Sequence, residues 1–154
     1  MTGNLLSRMV RSVSHLLAAV FNDRSQFERE WKCSPDTSGT AAGVQSRWEG
    51  EWRSDANGHH GALKCILTKN DGEHYMARFH AVYGGFLKVC YHVPLNVRGS
   101  NGEFTLEGRV DLGRLAGGVY EYRGTATGEE FSCDYRCKYD HGTFRMSSLD
   151  RANP

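Results

Sequence analysis

Between Ser46 and Leu149, apolar and polar side chains alternate with a period of two, and each break in the alternation is a short stretch rich in Gly, Asn or Asp. Eight segments can be marked, at about 46–54, 61–69, 73–83, 85–98, 103–112, 118–127, 129–139 and 142–149. They are joined by SDANGHH, KNDGE, YGG, RGSNG, LGRLAGG, TGE and YDHG. Each connection is short enough to close a hairpin. None holds the crossover helix that parallel neighbours would need. Consecutive hairpins therefore predict an up-and-down antiparallel meander.

The same alternation predicts where side chains point. Trp48, Trp52, Leu63, Cys65, Phe79, Tyr91, Leu106, Tyr120, Tyr122, Phe131, Tyr135, Cys137 and Phe144 share one face, in phase with Gly50, Gly108 and Gly124. Glu49, Glu51, Lys64, Arg78, His80, Glu107, Arg109, Glu121 and Arg123 fall on the other. A common apolar face over eight strands is best buried by rolling the sheet into a closed barrel, which also removes its edges. The alternative is a two-sheet sandwich built from the same strands. The inward glycines serve either as bends or as interior space. Trp48 and Trp52 are expected to plug one end. The chain is thus expected to be mainly β, an eight-stranded antiparallel up-and-down barrel with an N-terminal amphipathic helix.

That helix is read from Leu5, Leu6, Met9, Val10, Val13, Leu16, Leu17, Val20 and Phe21, which form one helical stripe. Residues 1–33 are assigned to the helix, 34–45 to a small, polar linker, 46–149 to the barrel and 150–154 to a tail. The longest unbroken apolar run, Leu16 to Phe21, is too short to span a bilayer. Two arginines and several serines interrupt the stripe, and no A-x-A site follows, so it does not read as a signal peptide either. A cytoplasmic or membrane-peripheral location is expected. Residues 5–21 would pack on the barrel, on a partner protein or on a membrane surface.

Net charge is +1, with basic and acidic residues interspersed, so no basic field points to nucleic acid. Five cysteines, Cys33, Cys65, Cys90, Cys133 and Cys137, do not make a closed disulfide framework. Cys133 and Cys137 would lie roughly 13 Å apart along a strand, too far to bridge. Reduced thiols in apolar surroundings are the simple reading, with a bridge from Cys65 to a neighbouring strand left open. No nucleophile motif, phosphate loop or dinucleotide fingerprint is present. No cofactor is expected; haem would need His80, His92 or His141 to face the interior.

Two groups of residues are candidates for function. In a meander the loops after strands 1, 3, 5 and 7 share one end. If strand 8 closes on strand 1, His59 and His60 approach Asp140 and His141 there. Imidazoles with a carboxylate suit zinc or another divalent ion, or an acid–base pair. Against this, Asn-Gly and Asp-His-Gly are turn formers first. The second group is the inward aromatic set Trp48, Trp52, Phe79, Tyr91, Tyr120, Tyr122 and Tyr135, which either fills the core or lines a cavity for a small apolar ligand.

The opening RWEGEW, a Trp-x-Gly-x-Trp strand at the head of eight strands, resembles the first strand of calycin barrels: lipocalins, fatty-acid-binding proteins and avidins. WEGEWRSDANGHHGALKC, AGGVYEYRGTAT and YRCKYDHGTFRM together resemble a group of short bacterial proteins of planctomycete type, over residues 46–149. Some members of that group carry an N-terminal lipid-anchor cysteine. Here Cys33 follows Trp31 and Lys32, which departs from that pattern. The calycin resemblance implies a binding module for a small apolar or amphipathic molecule rather than an enzyme. The other readings are a metal-assisted or acid–base enzyme at the histidine rim, and a structural or envelope-associated protein with a solid barrel.

Overall fold

The computed structural model describes residues 24–32 and 47–149. Residues 24–32 form a helix, α1. Eight strands follow: β1 (Arg47–Ser54), β2 (His60–Asp71), β3 (His74–Tyr83), β4 (Leu87–Ser100), β5 (Glu103–Asp111), β6 (Val119–Ala126), β7 (Glu130–Arg136) and β8 (His141–Ser148), with a short 3₁₀ turn at Arg114–Ala116 between β5 and β6. Each strand pairs with the next, and β8 returns to β1, so the sheet is a closed antiparallel barrel and not a sandwich. The stripe at residues 5–21, the linker at 34–45 and the tail at 150–154 lie outside the described residues. No described helix is long and apolar enough to cross a membrane.

Strand boundaries fall close to those that the alternation predicts, with informative exceptions. β4 starts at Leu87 rather than 85, because Gly84 and Gly85 both take positive φ in the preceding turn. β7 stops at Arg136 instead of running to 139. There the Cys137 amide donates to the Asp140 carbonyl and closes the turn. The inward phase holds throughout. Trp48, Leu63, Cys65, Leu67, Phe79, Leu106 and Phe131 are all sealed from solvent. Gly50 and Gly124 are bends rather than interior space, since a Cβ at either would strike the backbone of the neighbouring strand within 2.0–2.2 Å.

The two ends of the barrel differ. At one end, where β1 begins, Trp48 packs on Phe131 with ring centroids 5.7 Å apart. Val97, Leu106 and Ala126 are buried around them, and this end forms a floor. Trp52 is not part of that plug. It stands four residues along β1, about 13 Å away by strand rise, where it contacts Tyr83 and its indole N–H donates to the Val82 carbonyl at 3.0 Å. Between the two, Phe79 stacks on Tyr91 and Tyr122 and meets Phe144, giving the interior an aromatic middle layer.

Pairing is also uneven. The β4–β5 ladder runs from Ser100↔Glu103 only as far as Leu95↔Gly108. Beyond it, Leu87–Pro94 ladders with β3, and Arg109–Asp111 ladders with β6. The two strands therefore part over the half of the barrel opposite the floor.

Helix α1 packs on the outside of the barrel. Phe27 is buried and stacks on His80 at 5.2 Å, and Lys64 lies over the Trp31 ring. Glu30 pairs with Arg78. The Arg47 guanidinium donates to the Trp31 carbonyl at 3.1 Å, tying the last described turn of α1 to the start of β1. This cover explains why Arg78 and His80, both outward by phase, are shielded from water.

Candidate functional site: the tyrosine-lined mouth

The end opposite the floor carries the loops β1–β2 (55–59), β3–β4 (84–86), β5–β6 (112–118) and β7–β8 (137–140). The interior opens here. Val89, Tyr91, Val110 and Tyr120 point inward yet are only half-buried, as the parted β4 and β5 leave them without a wall. Five of the six large hydrophobic side chains exposed among the described residues stand at this end: Tyr83, Phe86, Leu87, Val119 and Tyr139, with Phe86 84% exposed.

One carboxylate organises the polar part of the mouth. Ser54 Oγ donates to Asp140 Oδ1 at 2.5 Å, and the Tyr135 hydroxyl donates to Oδ2 at 3.1 Å. Ser54 ends β1 in the inward phase of Trp48, Gly50 and Trp52, and is buried for that reason. Its Oγ also accepts from the Asn57 amide, tying the β1–β2 turn to the same cluster. Burial raises the pKa of the Tyr83, Tyr120 and Tyr135 hydroxyls, and the negative charge of Asp140 raises each further. Tyr120 also hydrogen-bonds Cys137. Tyr91 and Tyr122 are pushed up too, first by burial and then by their neighbours. At neutral pH all five hydroxyls are therefore protonated, with the Tyr135 proton already given to Asp140.

The rings form a continuous surface. Tyr120 lies 6.3 Å from Tyr122 and 6.2 Å from Tyr135, and Phe144 backs both Tyr122 and Tyr135. The β5–β6 loop closes over part of it. Gly117, at φ +100, has a Cβ position only 2.9 Å from the Tyr120 hydroxyl and 3.2 Å from the Cys137 sulfur, so glycine lets the loop sit this low.

The residues singled out from sequence are distributed as follows. Trp48 is in the floor and Trp52 behind Tyr83. Phe79 and Tyr122 lie in the aromatic layer, and Tyr91, Tyr120 and Tyr135 line the mouth. The rim histidines do come near one another through the backbone, since the Asp55 amide donates to the His141 carbonyl and the Ser54 amide to the His59 carbonyl. Yet His59, His60 and His141 are exposed, while the Asp140 side chain is held by Ser54 and Tyr135. Among the described residues no group of three or more His, Cys, Asp or Glu is gathered to hold a metal ion. His59, His60, Asp140 and His141 are thus not drawn into one such group among the described residues. His80 and His92 are on the outer face, as their phase predicts, and His141 is outward of Gly142. Cys65, Cys133 and Cys137 are free thiols, and burial raises Cys65 strongly and Cys133 to about 12.

Ser54, Tyr83 and Cys137 were not singled out as site residues. Ser54 and Cys137 did carry a signal, because each continues the inward phase at the end of its strand. A hollow of about 510 Å³ lies where β4 and β5 part, bordered by Asn96, Glu107, Arg109, Glu121 and Arg123. Its charges face each other across the ladder, Glu107 with Arg123 and Arg109 with Glu121.

Compared with protein-family models, with curated proteins and with solved structures, the chain matches none.

Proposed function

We propose that the barrel binds a small apolar or amphipathic molecule at its tyrosine-lined mouth. The observation that carries this reading is the asymmetry of exposure. One end is sealed by Trp48 and Phe131, while Phe86, Leu87, Val119, Tyr83 and Tyr139 crowd the other around half-buried inward tyrosines. Apolar side chains gathered at one end of a monomer mark an interaction site. Here they surround aromatic walls with a few convergent hydroxyls, the usual make-up of a small-molecule site. The protonated tyrosines donate hydrogen bonds. The carboxylate of Asp140 favours a neutral or cationic head over an anionic one. Binding is the better reading than acid–base chemistry, because hydroxyls whose ionisation is pushed up are poor bases at neutral pH.

The test is a titration of the full chain with decanol, decylammonium and decanoate, followed by backbone amide NMR. Decanol and decylammonium are expected to shift residues 83–91 and 119–120 saturably, with decanoate weaker. Tyr91→Ala and Tyr120→Ala should each weaken binding about tenfold, as expected for a lost aromatic wall. Shifts absent from this end, or unchanged affinity in both variants, would overturn the proposal.

A second reading draws on the same side chains. A structural protein with a solid barrel could offer Phe86, Leu87 and Tyr139 to a partner protein. Phe86→Ser would then abolish partner binding and leave decanol binding intact.

A further inference from the structure

The outer face of the barrel holds a second site. A cavity of about 390 Å³ lies between α1 and the outer face of β2, β3 and β4. Its walls are apolar and partly aromatic: Phe27 and Trp31 from the helix, Ala62 and Val82 from the sheet. Three lysines reach its rim, Lys32 from α1, Lys64 from β2 and Lys88 from β4. Glu28 also borders it, but that carboxylate accepts from Arg24 Nε at 3.1 Å. Lys64 is likewise paired, with Glu49, so the excess of positive charge around this apolar pocket comes from Lys32 and Lys88.

His80 gives the pocket a polar centre. It is 7% exposed, lines the cavity, and its Nε2 is buried with no hydrogen-bond partner among the described residues. A buried polar atom left without a partner costs roughly 1–3 kcal/mol. Nε2 is closed to water as the ring stands, so a ligand recovers that cost once the imidazole, stacked on Phe27 at the cavity wall, turns toward it. We infer that this groove binds a small organic anion with a flat apolar body, such as an aromatic carboxylate. Its ring would lie against Trp31 and Val82, beside a Phe27 already stacked on Trp31 and His80, and its charge would lie among Lys64, Lys88 and the His80 imidazole.

The electrostatics agree with that geometry. Burial, then Lys88, and more weakly Arg24 and Lys64, hold the His80 imidazole below its usual range, while Glu28 opposes them. The Arg78 guanidinium on the same strand is paired with Glu30. A bound carboxylate would offset the lysine field and raise the imidazole toward protonation. Lys64 is already positioned, by Glu49 at 3.3 Å and by the Trp31 ring at 4.8 Å, so it need not be ordered on binding.

The experiment is an NMR titration of the His80 imidazole in the full chain with 2-naphthoate. Two controls are its neutral analogue 2-naphthalenemethanol and inorganic phosphate. Naphthoate is expected to shift His80 and Phe27 saturably and to raise the pH at which His80 half-titrates. The neutral analogue should bind at least about tenfold more weakly, and phosphate should leave His80 unmoved. Lys88→Gln, a surface change that leaves the core alone, should weaken naphthoate binding about tenfold. Equal effects from naphthoate and the neutral analogue would overturn the proposal. So would a silent His80 at millimolar naphthoate, or shifts confined to Tyr91 and Tyr120 at the mouth. Failure here leaves the decanol titration at the mouth unaffected, so the two sites are judged separately.

Discussion

Trp48 and Trp52 sit on the same strand, on the same face, four residues apart, and belong to different parts of the barrel. Trp48 locks with Phe131 in a floor where every strand has its two neighbours. Trp52 stands where the barrel begins to open, against a half-exposed Tyr83. The floor is held by volume. The mouth is held by a few directed bonds, chiefly those on Asp140, with apolar surface left uncovered. One short barrel thus spends its packing at one end and keeps polar and aromatic groups accessible at the other.

The largest effect expected from this contrast is at the floor. Phe131→Ala should cost about 3–5 kcal/mol in urea unfolding, the range for truncating a buried aromatic residue. Tyr91→Ala at the half-buried mouth should cost clearly less. Equal losses would mean the mouth is as tightly packed as the floor, and the contrast would fail. Next in size is Ser54→Ala, which removes a donor to a carboxylate. It is expected to cost about 1.5–3 kcal/mol. A double-mutant cycle with Tyr135→Phe should show coupling, because both hydroxyls serve Asp140.

A smaller effect separates two glycines. Gly102, in the β4–β5 turn at the floor end, and Gly117, in the mouth loop, both have positive φ. A Cβ at Gly102 meets nothing within 4 Å, whereas at Gly117 it meets the Tyr120 hydroxyl. Both alanine variants are strained, and Gly117→Ala should be worse by about 1 kcal/mol, the low end of overpacking costs. Equal losses would remove the β5–β6 loop from the mouth.

The mildest test is alkaline pH. The mouth tyrosines Tyr83, Tyr91, Tyr120 and Tyr135 have raised pKa values in the folded chain. Above about pH 10 the unfolded chain loses those protons and the folded chain keeps them, so unfolding gains and stability falls. Below that pH both states hold the protons and stability is flat with respect to these groups. Urea midpoints followed from pH 8 to 11, with tyrosinate absorbance, should break downward near 10. Tyrosinate absorbance that rises fully while the midpoint stays constant would mean these hydroxyls are open to solvent.

Much of the barrel was legible because strand phase is a local property. The turns of Gly, Asn and Asp located the hairpins, and period two assigned Phe79, Tyr122 and Phe144 inward and Arg78 and His80 outward. Phase says nothing about height, which is why Trp48 and Trp52 were grouped at one end. Nor does it report closure at one level and parting at another; the hint was only that β4 outruns β5. The Asp140 cluster joins side chains 86 positions apart in the chain, and Asp-His-Gly read first as a turn. Helix α1 falls inside the 1–33 assigned to a helix, but its docking face was not legible: Phe27 and Trp31 are two apolar side chains in nine helical residues, too few to make a stripe.

The early end of the β4–β5 ladder makes the molecule a tube slit along part of its length. Around the floor the circumference is set by eight ladders, and widening it would break hydrogen bonds. Around the mouth Leu87–Pro94 is tied on one side only, to β3, and no β4–β5 rung fixes its distance from Arg109–Asp111. If a ligand enters there as proposed, that seam is where the bore can adjust without breaking a β4–β5 hydrogen bond.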